Sequence, residues 1–388
     1  MLIAIHLLQN HAPSNLNRDD NGDPKDALFG DVRRARISSQ ALKRSIRWSE
    51  SFRSEFAATP ELLATRTQLL PDEVGKRLAG EGLDATVTAA IVQAAARLGK
   101  GESKTTAGEA EDEGKPAKGK KGKAAANTGE ERVKTAQLMF LTNTEIDQLA
   151  AKLTQIAREQ GVAALNGLSG EALVKAIGEY EPHAADIAMF GRMTTSSPFK
   201  NVEAAVQVAP ALSTHAVEQE FDFYTAVDDI SGETGAGFIG EVSFNSATYY
   251  KYFSVDWEGL VKNLQNDTAV AAMTVRALLK AALFAIPSGK QNSFAAHNLP
   301  DLVLVEVREQ KIALSYTNAF VKPVRANRTQ SLVEASAQAL ATYVPQINGM
   351  YGLSAERAFL STIPFTLDGA QQCAKLDELV AWLASSVK

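Results

Sequence analysis

Residues 99–132 restrict the possible folds of this chain more than any other feature of its sequence. The segment consists mainly of Gly, Lys, Glu, Ala, Ser and Thr, and it contains no aromatic and no large aliphatic residue. Such a segment cannot bury enough apolar surface to offset the entropy lost on ordering, so we predict that it is disordered. Acidic residues in the segment nearly cancel the five lysines from Lys115 to Lys123. This balance favours a solvated insert over a nucleic-acid-binding arm.

The hydrophobic pattern differs on the two sides of this insert. Residues 2–8 alternate as in a strand, whereas residues 60–98 and 133–160 have the spacing of helices. After about residue 182 the pattern changes to that of short strands. The order predicts an α+β module that is interrupted by a mostly helical insertion over residues 57–185. With 388 residues, the chain is long enough for two or three structural units.

Local signals predict further elements. Ser38 or Ser39 is a suitable N-cap for a helix that runs to about Phe56, and Gly235–Gly240 marks the tip of a hairpin. The other predicted elements are a loop over 10–31, hairpins over 217–247 and 302–315, and helices over 257–264, 267–286, 330–344 and 376–385.

The charge balance and the cysteine count exclude several classes of protein. The chain has 40 Lys and Arg residues against 45 Asp and Glu residues, which excludes a uniformly basic protein that coats nucleic acid. Cys373 is the only cysteine, so an intramolecular disulfide and a cysteine zinc site are both excluded. No apolar run of about 18 residues predicts a membrane span. Because Met1–Leu8 has the pattern of a strand and not of a signal peptide, we expect a cytoplasmic protein with no membrane partner.

The densest charge feature is the segment Val32–Arg53, which we call the basic segment. Seven Arg and Lys residues stand there against one acid, Glu50. They flank the predicted helix start, where backbone N–H groups and short polar side chains favour anions. A phosphate chain fits this arrangement better than a single phosphate does. The alternative is a solvated basic helix face with ordinary surface ion pairs.

Two glycine motifs resemble nucleotide-binding sites but lack the required context. Gly235–Gly240 matches the dinucleotide fingerprint, yet a strand-like segment follows it where the fingerprint requires a helix. Ser288-Gly289-Lys290 lacks the flanking residues of a Walker loop, since Phe284 and Gln291 occupy the diagnostic positions. The loop Pro287–Asn298 is nevertheless rich in donors, so a nucleic-acid contact and a plain turn both remain open there.

The sequence offers little material for catalysis. None of its five histidines lies four residues from another, and no hydrolase or metalloprotease motif occurs. The acidic pairs Asp19-Asp20 and Asp228-Asp229 have the chemistry to hold Mg²⁺ beside a phosphate. Such pairs more often cap turns or neutralise a neighbouring arginine, which for Asp19-Asp20 would be Arg18. We therefore predict no catalytic residue, no resident metal and no cofactor.

Seven segments, in order along the chain, carry a resemblance to a known family. They are Asn15–Asp20, Lys25–Gly30, Arg33–Arg44, Gly191–Ser196, Tyr224–Asp229, Pro287–Asn298 and Asn348–Leu353. Their order and extent exclude chance similarity. Together they strongly resemble the CasC family, which supplies the backbone subunit of the type I-E CRISPR Cascade complex.

The resemblance implies a fold shaped like a right hand. Its palm is a modified RNA-recognition-motif fold of the ferredoxin-like type, formed by residues 1–56, 186–216 and 248–388. Helical fingers over 57–185 and a β-hairpin thumb over 217–247 complete it. In this family several copies bind head-to-tail along a CRISPR RNA, together with other Cascade subunits. They leave guide bases exposed for pairing with target DNA, and they hold the RNA without catalysis.

The resemblance also assigns residues to RNA. It places Ser38, Gln40, Lys43, Arg44 and Arg47 on the RNA backbone, with Arg18 on the same surface. Met193 resembles a methionine that packs against bases. Tyr224, Thr225 and Val227 resemble the thumb residues that wedge into the RNA strand. Gly289, Lys290 and Gln291 resemble the palm loop that also contacts RNA.

Related type III effectors imply one alternative function. Their backbone subunits carry a thumb aspartate that cleaves target RNA with a metal ion. Asp228 and Asp229 are the candidate residues for such an endonuclease here.

Overall fold

In the computed structural model, the chain divides into two units. The structure describes residues 1–98, 132–168, 170–194, 198–230, 232 and 234–387. The sheet unit comprises the described residues of 1–58, 205–262 and 266–388, and the helical unit those of 59–204 and 263–265. Apart from Arg132, the insert that we predict to be disordered lies outside the described residues, so its disorder stays a prediction.

The strands form one large sheet and one small one. They are β1 (Leu2–Ser14), β2 (Asp26–Phe29), β3 (Val32–Ile37), β4 (Ala64–Thr67), β5 (Met139–Thr142), β6 (Val206–Val208), β7 (Ala211–Ser213), β8 (Glu220–Val227), β9 (Thr234–Asp256), β10 (Leu302–Arg308), β11 (Glu356–Ser361) and β12 (Ala370–Gln372). The large sheet has the order β12-β11-β10-β1-β9-β7-β3-β2, and β6 and β8 also pair with β9. β4 and β5 form the small sheet.

The helices complete the predicted α+β class. They are α1 (Ser39–Trp48), α2 (Glu50–Arg53), α3 (Leu70–Leu78), α4 (Ala85–Arg97), α5 (Asn143–Gly167), α6 (Gly170–Ile177), α7 (Ala185–Phe190), α8 (Trp257–Asn263), α9 (Thr268–Phe284), α10 (Gln291–Phe294), α11 (Leu332–Tyr351) and α12 (Leu376–Ser386). Within the described ranges, no helix combines the length and the apolar character that crossing a membrane requires.

The first strand is longer than its apolar pattern predicts. The alternation over Leu2–Leu8 is confirmed as strand, but β1 continues to Ser14 because the 23-residue strand β9 supplies partners that far, as in the pair of Ser14 with Asn245. β10 pairs along the other edge of β1. The predicted loop over 10–31 is therefore wrong at both ends, since Asp26–Phe29 also pairs, with β3.

The core of the sheet unit lies where α11 covers the central strands. Leu8 of β1 and Leu304 of β10 belong to one buried cluster with Leu340 and Val344 of α11. Ile5 on the opposite face of β1 is buried as well. Since both faces of the central strands are buried, their sequences are apolar on both sides, as the sequence of β1 shows.

The helical unit contains two short strands that helical spacing conceals. The predicted helices over 60–98 and 133–160 are wrong at Ala64–Thr67 and Met139–Thr142, which pair with each other as β4 and β5. All four residues of β5 are buried, so their pattern has no period that distinguishes strand from helix. The helix then begins one residue later, where Thr142 and Glu145 form a capping box.

One predicted hairpin is confirmed and the other is wrong. β8 pairs antiparallel with the first half of β9, and Tyr224 lies opposite Gly240. The segment that matches the dinucleotide fingerprint thus lies in β9, which confirms that it opens no helix. The predicted hairpin tip at Gly235–Gly240 is wrong, because the turn comes before Thr234. Residues 302–315 do not form a hairpin: β10 pairs with β1 and β11, and Lys311–Ser315 lies in no strand.

Candidate nucleic-acid interface

Helix α1 carries the centre of the predicted interface. The Ser38 side chain caps the helix by accepting a hydrogen bond from the Ala41 N–H group at 3.3 Å, as predicted for one of the two serines. The Asn17 side chain accepts from the Ser38 N–H group at 2.8 Å and so joins the helix start to the segment after β1. Leu42 and Ile46 face the core, which turns Gln40, Lys43, Arg44 and Arg47 away from it.

The predicted helix does not reach Phe56 unbroken. α1 ends at Trp48, and the Ser49 side chain caps a new helix, α2, by accepting from the Phe52 N–H group at 3.2 Å. The chain therefore turns just after Trp48.

Arg34 does not belong to the charged surface that the basic segment predicts. Its side chain is fully buried and donates to the backbone carbonyls of Phe29, Ser213, Phe320 and Val321 at 2.7–3.3 Å. These four carbonyls come from chain segments far apart in sequence, so Arg34 stabilises the fold and is unavailable to phosphates. This corrects the surface charge inferred from sequence alone.

An open cleft of about 1410 Å³ lies beside α1 in the sheet unit. It is lined by Leu16–Gly22, by α1 and α2 near their junction, and by Phe284–Gly289 after α9. Arg18 and Arg44 both line it, and neither pairs with a carboxylate among the described residues. Two predicted RNA-binding cations thus lie together at the rim of one cleft.

Sequence reasoning missed Trp48, an exposed aromatic side chain at this cleft, which Phe284 lines as well. Trp48 is 61% exposed, and the guanidinium carbons of Arg44 and Arg53 lie 6.0 and 5.2 Å from its ring centroid. The signal was present in the sequence, because Trp48 follows Arg44 by four residues and a helix places such residues on one face.

The predicted palm loop is held close to the segment after β1. A Cβ atom on Gly289 would lie 2.4 Å from the carbonyl oxygen of Leu16, so only glycine allows this approach. Lys290 has φ of 52° and precedes α10. The Gln291 amide donates to the carbonyls of Pro287 and Ala296 at 3.3 and 3.4 Å, and so closes the loop on itself. Of the three predicted residues, the cleft includes Gly289.

A buried lysine fixes the far end of the same loop. The Lys251 ammonium group donates to the Gln9 side chain at 2.5 Å, and the Gln9 amide donates to the Asn298 carbonyl at 2.5 Å. Burial lowers the pKa of Lys251 to about 7. Burial, with the charge of Lys251 second, lowers the pKa of His11 to about 3. The loop is thus anchored to the sheet through the buried side chains of Lys251 and Gln9.

The predicted thumb residues lie on a strand with no buried side chain. All eight residues of β8 are exposed, including Tyr224, Thr225 and Val227. The Tyr224 ring lies against Gly240, where an added Cβ atom would come within 2.5 Å of it. A glycine opposite an aromatic residue makes room for the ring across the strand pair.

Met193 directly follows Arg192, which forms a buried ion pair in the helical unit. The Met193 side chain is 94% exposed. The preceding residue, Arg192, donates to both carboxylate oxygens of Glu145 at 2.8 and 2.9 Å and to the Lys200 carbonyl. The Arg192 and Glu145 side chains are each 2% exposed. Met193 is thereby attached to a rigid support.

The two acidic pairs have the turn-capping contacts that the sequence left as an alternative. The Asp19 carboxylate accepts from the N–H groups of Asn21 and Asp23 at 2.9 and 3.0 Å, and Asp228 accepts from the Ile230 N–H group at 2.8 Å. No group of three or more His, Cys, Asp or Glu side chains with the geometry to hold a metal ion occurs in the part of the chain that the structure describes.

Two solved structures share the fold over the full length of this chain. One is a chain described as "CRISPR RNA-guided surveillance complex, pre-nicking", with 28% sequence identity, a TM-score of 0.79 and complete coverage of both chains. The other, described as "CRISPR RNA-guided surveillance complex", has 23% identity, a TM-score of 0.71 and complete coverage of both chains, and supports the fold alone. No curated protein sequence matches this one. The family model described as "CT1975-like protein" matches residues 3–382, so the chain belongs to the CT1975-like protein family.

Proposed function

We propose that this chain is a non-catalytic backbone subunit of a CRISPR RNA-guided surveillance complex of the type I-E Cascade kind. The observation that carries the proposal is the position of the Arg18 and Arg44 side chains, exposed and without a carboxylate partner among the described residues, at one open cleft beside the basic face of α1. The full-length likeness to a chain of such a complex, at 28% identity, supports it.

The proposed mechanism holds RNA by its phosphates. Gln40, Lys43, Arg44 and Arg47 on α1 bind successive phosphates, because cations and amide donors match phosphate oxygens without reading bases. The Ser38 cap fixes the start of α1, and the positive end of the helix dipole at this start favours phosphates as well. Arg18 and the loop Gly289, Lys290 and Gln291 contact the same RNA.

The exposed side chains away from α1 contact bases. Tyr224, Thr225 and Val227 on β8 wedge into the RNA strand, and Met193 packs against displaced or neighbouring bases. The exposure of these side chains supports this assignment, because large apolar groups in water favour a partner surface. Guide bases between the contacts remain free to pair with target DNA, which supplies the sequence specificity.

The proposal includes assembly. Several copies bind head-to-tail along the CRISPR RNA, together with other Cascade subunits. A head-to-tail contact that does not close into a ring generates a helical filament, whose length the RNA then limits. We assign residues 1–56, 186–216 and 248–388 to an RNA-recognition-motif-like palm, 57–185 to the fingers and 217–247 to the thumb.

Native mass spectrometry tests this proposal. The protein is analysed after nuclease treatment, and again with a CRISPR RNA and the partner subunits added. We expect assemblies with several copies per RNA that nuclease dissociates. A monomer that ignores RNA in the presence of the partner subunits would contradict the proposal.

The phosphate contacts have their own test. Replacing Lys43, Arg44 and Arg47 together with alanine should weaken RNA binding and flatten its salt dependence, by about 0.7 in log–log slope per lost phosphate contact. A variant with the same loss of charge in the helical unit is the control: it carries alanine at Lys152, Arg158 and Lys175. If both variants keep the slope of the unaltered protein, the RNA path lies elsewhere.

The alternative function is a metal-dependent RNA endonuclease that uses Asp228 or Asp229. The hydrogen bond from the Ile230 N–H group to Asp228 favours a structural role for this aspartate. Incubation with complementary RNA and Mg²⁺ separates the two functions. Cleavage that is lost in Asp228→Ala or Asp229→Ala would establish the endonuclease, whereas intact RNA would support the scaffold.

A further inference from the structure

Trp48 is exposed in a way that the phosphate contacts do not explain. The chain has three tryptophans, and Trp257 is buried whereas Trp48 is 61% exposed at the cleft. A flat, rigid aromatic surface in a cleft beside phosphate-binding cations is the arrangement with which proteins stack the bases of single-stranded nucleic acids. On the basis of the proposed function, we infer that Trp48 stacks on one base of the bound RNA in each copy.

A base that stacks on Trp48 displaces the neighbouring cations. The guanidinium carbons of Arg44 and Arg53 lie over the Trp48 ring, 6.0 and 5.2 Å from its centroid, within the range of a cation–π contact. Both arginine side chains are exposed. A base can therefore lie on the indole while each guanidinium group turns to a phosphate or covers the free face of the base.

The charges inside the cleft favour a base over a phosphate. Asp19, Asp20 and Glu50 line the cleft together with Arg18 and Arg44. These carboxylates offset the charge of the two arginines, so the cleft does not favour a phosphate beyond those that Arg18 and Arg44 bind. Their oxygens can accept hydrogen bonds from the amino groups of a neutral base. The phosphates then lie along the basic face of α1 and the base points into the cleft.

The helix geometry brings the phosphate contact of Arg44 and the base contact of Trp48 onto one face of α1. Arg44 and Trp48 are four residues apart on α1, so they lie on one face about 6 Å apart along the axis. A nucleotide whose phosphate contacts Arg44 thus has its base within reach of the Trp48 ring.

Two probes of equal charge test this inference. One is a single-stranded RNA and the other is an abasic oligomer with the same number of phosphates, and the affinity of the full chain for each is measured by fluorescence anisotropy. Trp48→Leu should weaken RNA binding about 5- to 100-fold and leave the abasic affinity and the salt slope unchanged. Trp48→Phe should restore most of the RNA affinity. Trp382→Leu is the control, because Trp382 lies on α12 and does not line the cleft.

The other outcomes separate this inference from the proposed function. If Trp48→Leu weakens binding to both probes equally, the cleft holds a protein segment of a neighbouring copy and the stacking inference is wrong. If RNA binds and Trp48→Leu changes neither affinity, the inference also fails while the proposed function stands. If the unaltered protein binds neither probe even when the partner subunits are present, both fail.

Discussion

The buried ion pair beneath Met193 allows a quantitative prediction about the helical unit. Arg192→Met removes a guanidinium group that donates to Glu145, to the Phe140 carbonyl at 3.2 Å and to the Lys200 carbonyl at 2.8 and 3.0 Å. The Glu145 carboxylate then stays buried with the N–H and hydroxyl groups of Thr142 as its remaining donors. Breaking a buried pair by removing one partner costs about 3–5 kcal/mol, mostly because the other charge is left uncompensated.

The assay is a double-mutant cycle in urea, followed by circular dichroism. Glu145→Gln should cost a similar amount, since it leaves the Arg192 charge buried without its carboxylate. In the double variant no uncompensated charge remains, so its loss should fall short of the sum of the single losses by about 2–3 kcal/mol. Lys200→Met is the control, because its ion pair with Glu181 is half-exposed and its loss should hardly move the midpoint.

Additive losses would refute the reasoning. A coupling below about 0.5 kcal/mol would show that Arg192 and Glu145 do not act as a pair, and that Arg192 stabilises the segment through its carbonyl contacts alone.

Three further predictions concern the loop after α9 and the insert. The pKa of Lys251 is lowered to about 7, so between pH 7 and 10 the unfolded state binds more protons and stability rises with pH by up to about 1.4 kcal/mol per pH unit. Thermal unfolding of Lys251→Met across this range should lack that rise, and an equal rise in both proteins would contradict it. Gly289→Ala forces a Cβ atom against Leu16 and should cost about 1–3 kcal/mol in urea unfolding, whereas Gly349→Ala, in open space on α11, should be neutral or stabilising. Deleting residues 102–130 should leave the Tm and the RNA affinity unchanged, and a large loss of stability would show that the insert is ordered.

Sequence reasoning succeeded where the determinants are local. The Ser38 cap, the apolar alternation of β1 and the hairpin over 217–247 depend on neighbouring residues or on one tight turn, and the structure has all three. The basic face of α1 followed from spacing alone. A helix start beside a run of cations is visible without any knowledge of tertiary structure.

The failures concern contacts between distant segments. β4 and β5 become strands because each supplies hydrogen-bond partners to the other across more than 70 residues of sequence. Arg34 is indistinguishable by type from its exposed neighbour Arg33, and only the convergence of distant carbonyls makes it structural. Trp48 was missed because the basic segment has two aromatic residues, and only the fold buries Phe52 and leaves Trp48 exposed.

The length of β9 has a mechanical consequence. Its pairing passes from β1 at Asn245 to β8 at Phe244 without an intervening loop, so the exposed ribbon is a continuation of a strand in the middle of the sheet. A ribbon without a hinge at its base transmits a load on its tip directly to the buried core. The ladder register shifts between Thr225 and Val227 in the ribbon and between His11 and Ser14 in the neighbouring strand β1. The distance by which the ribbon extends from the sheet is therefore set by the register of a buried strand. This distance is the same in every copy of the chain.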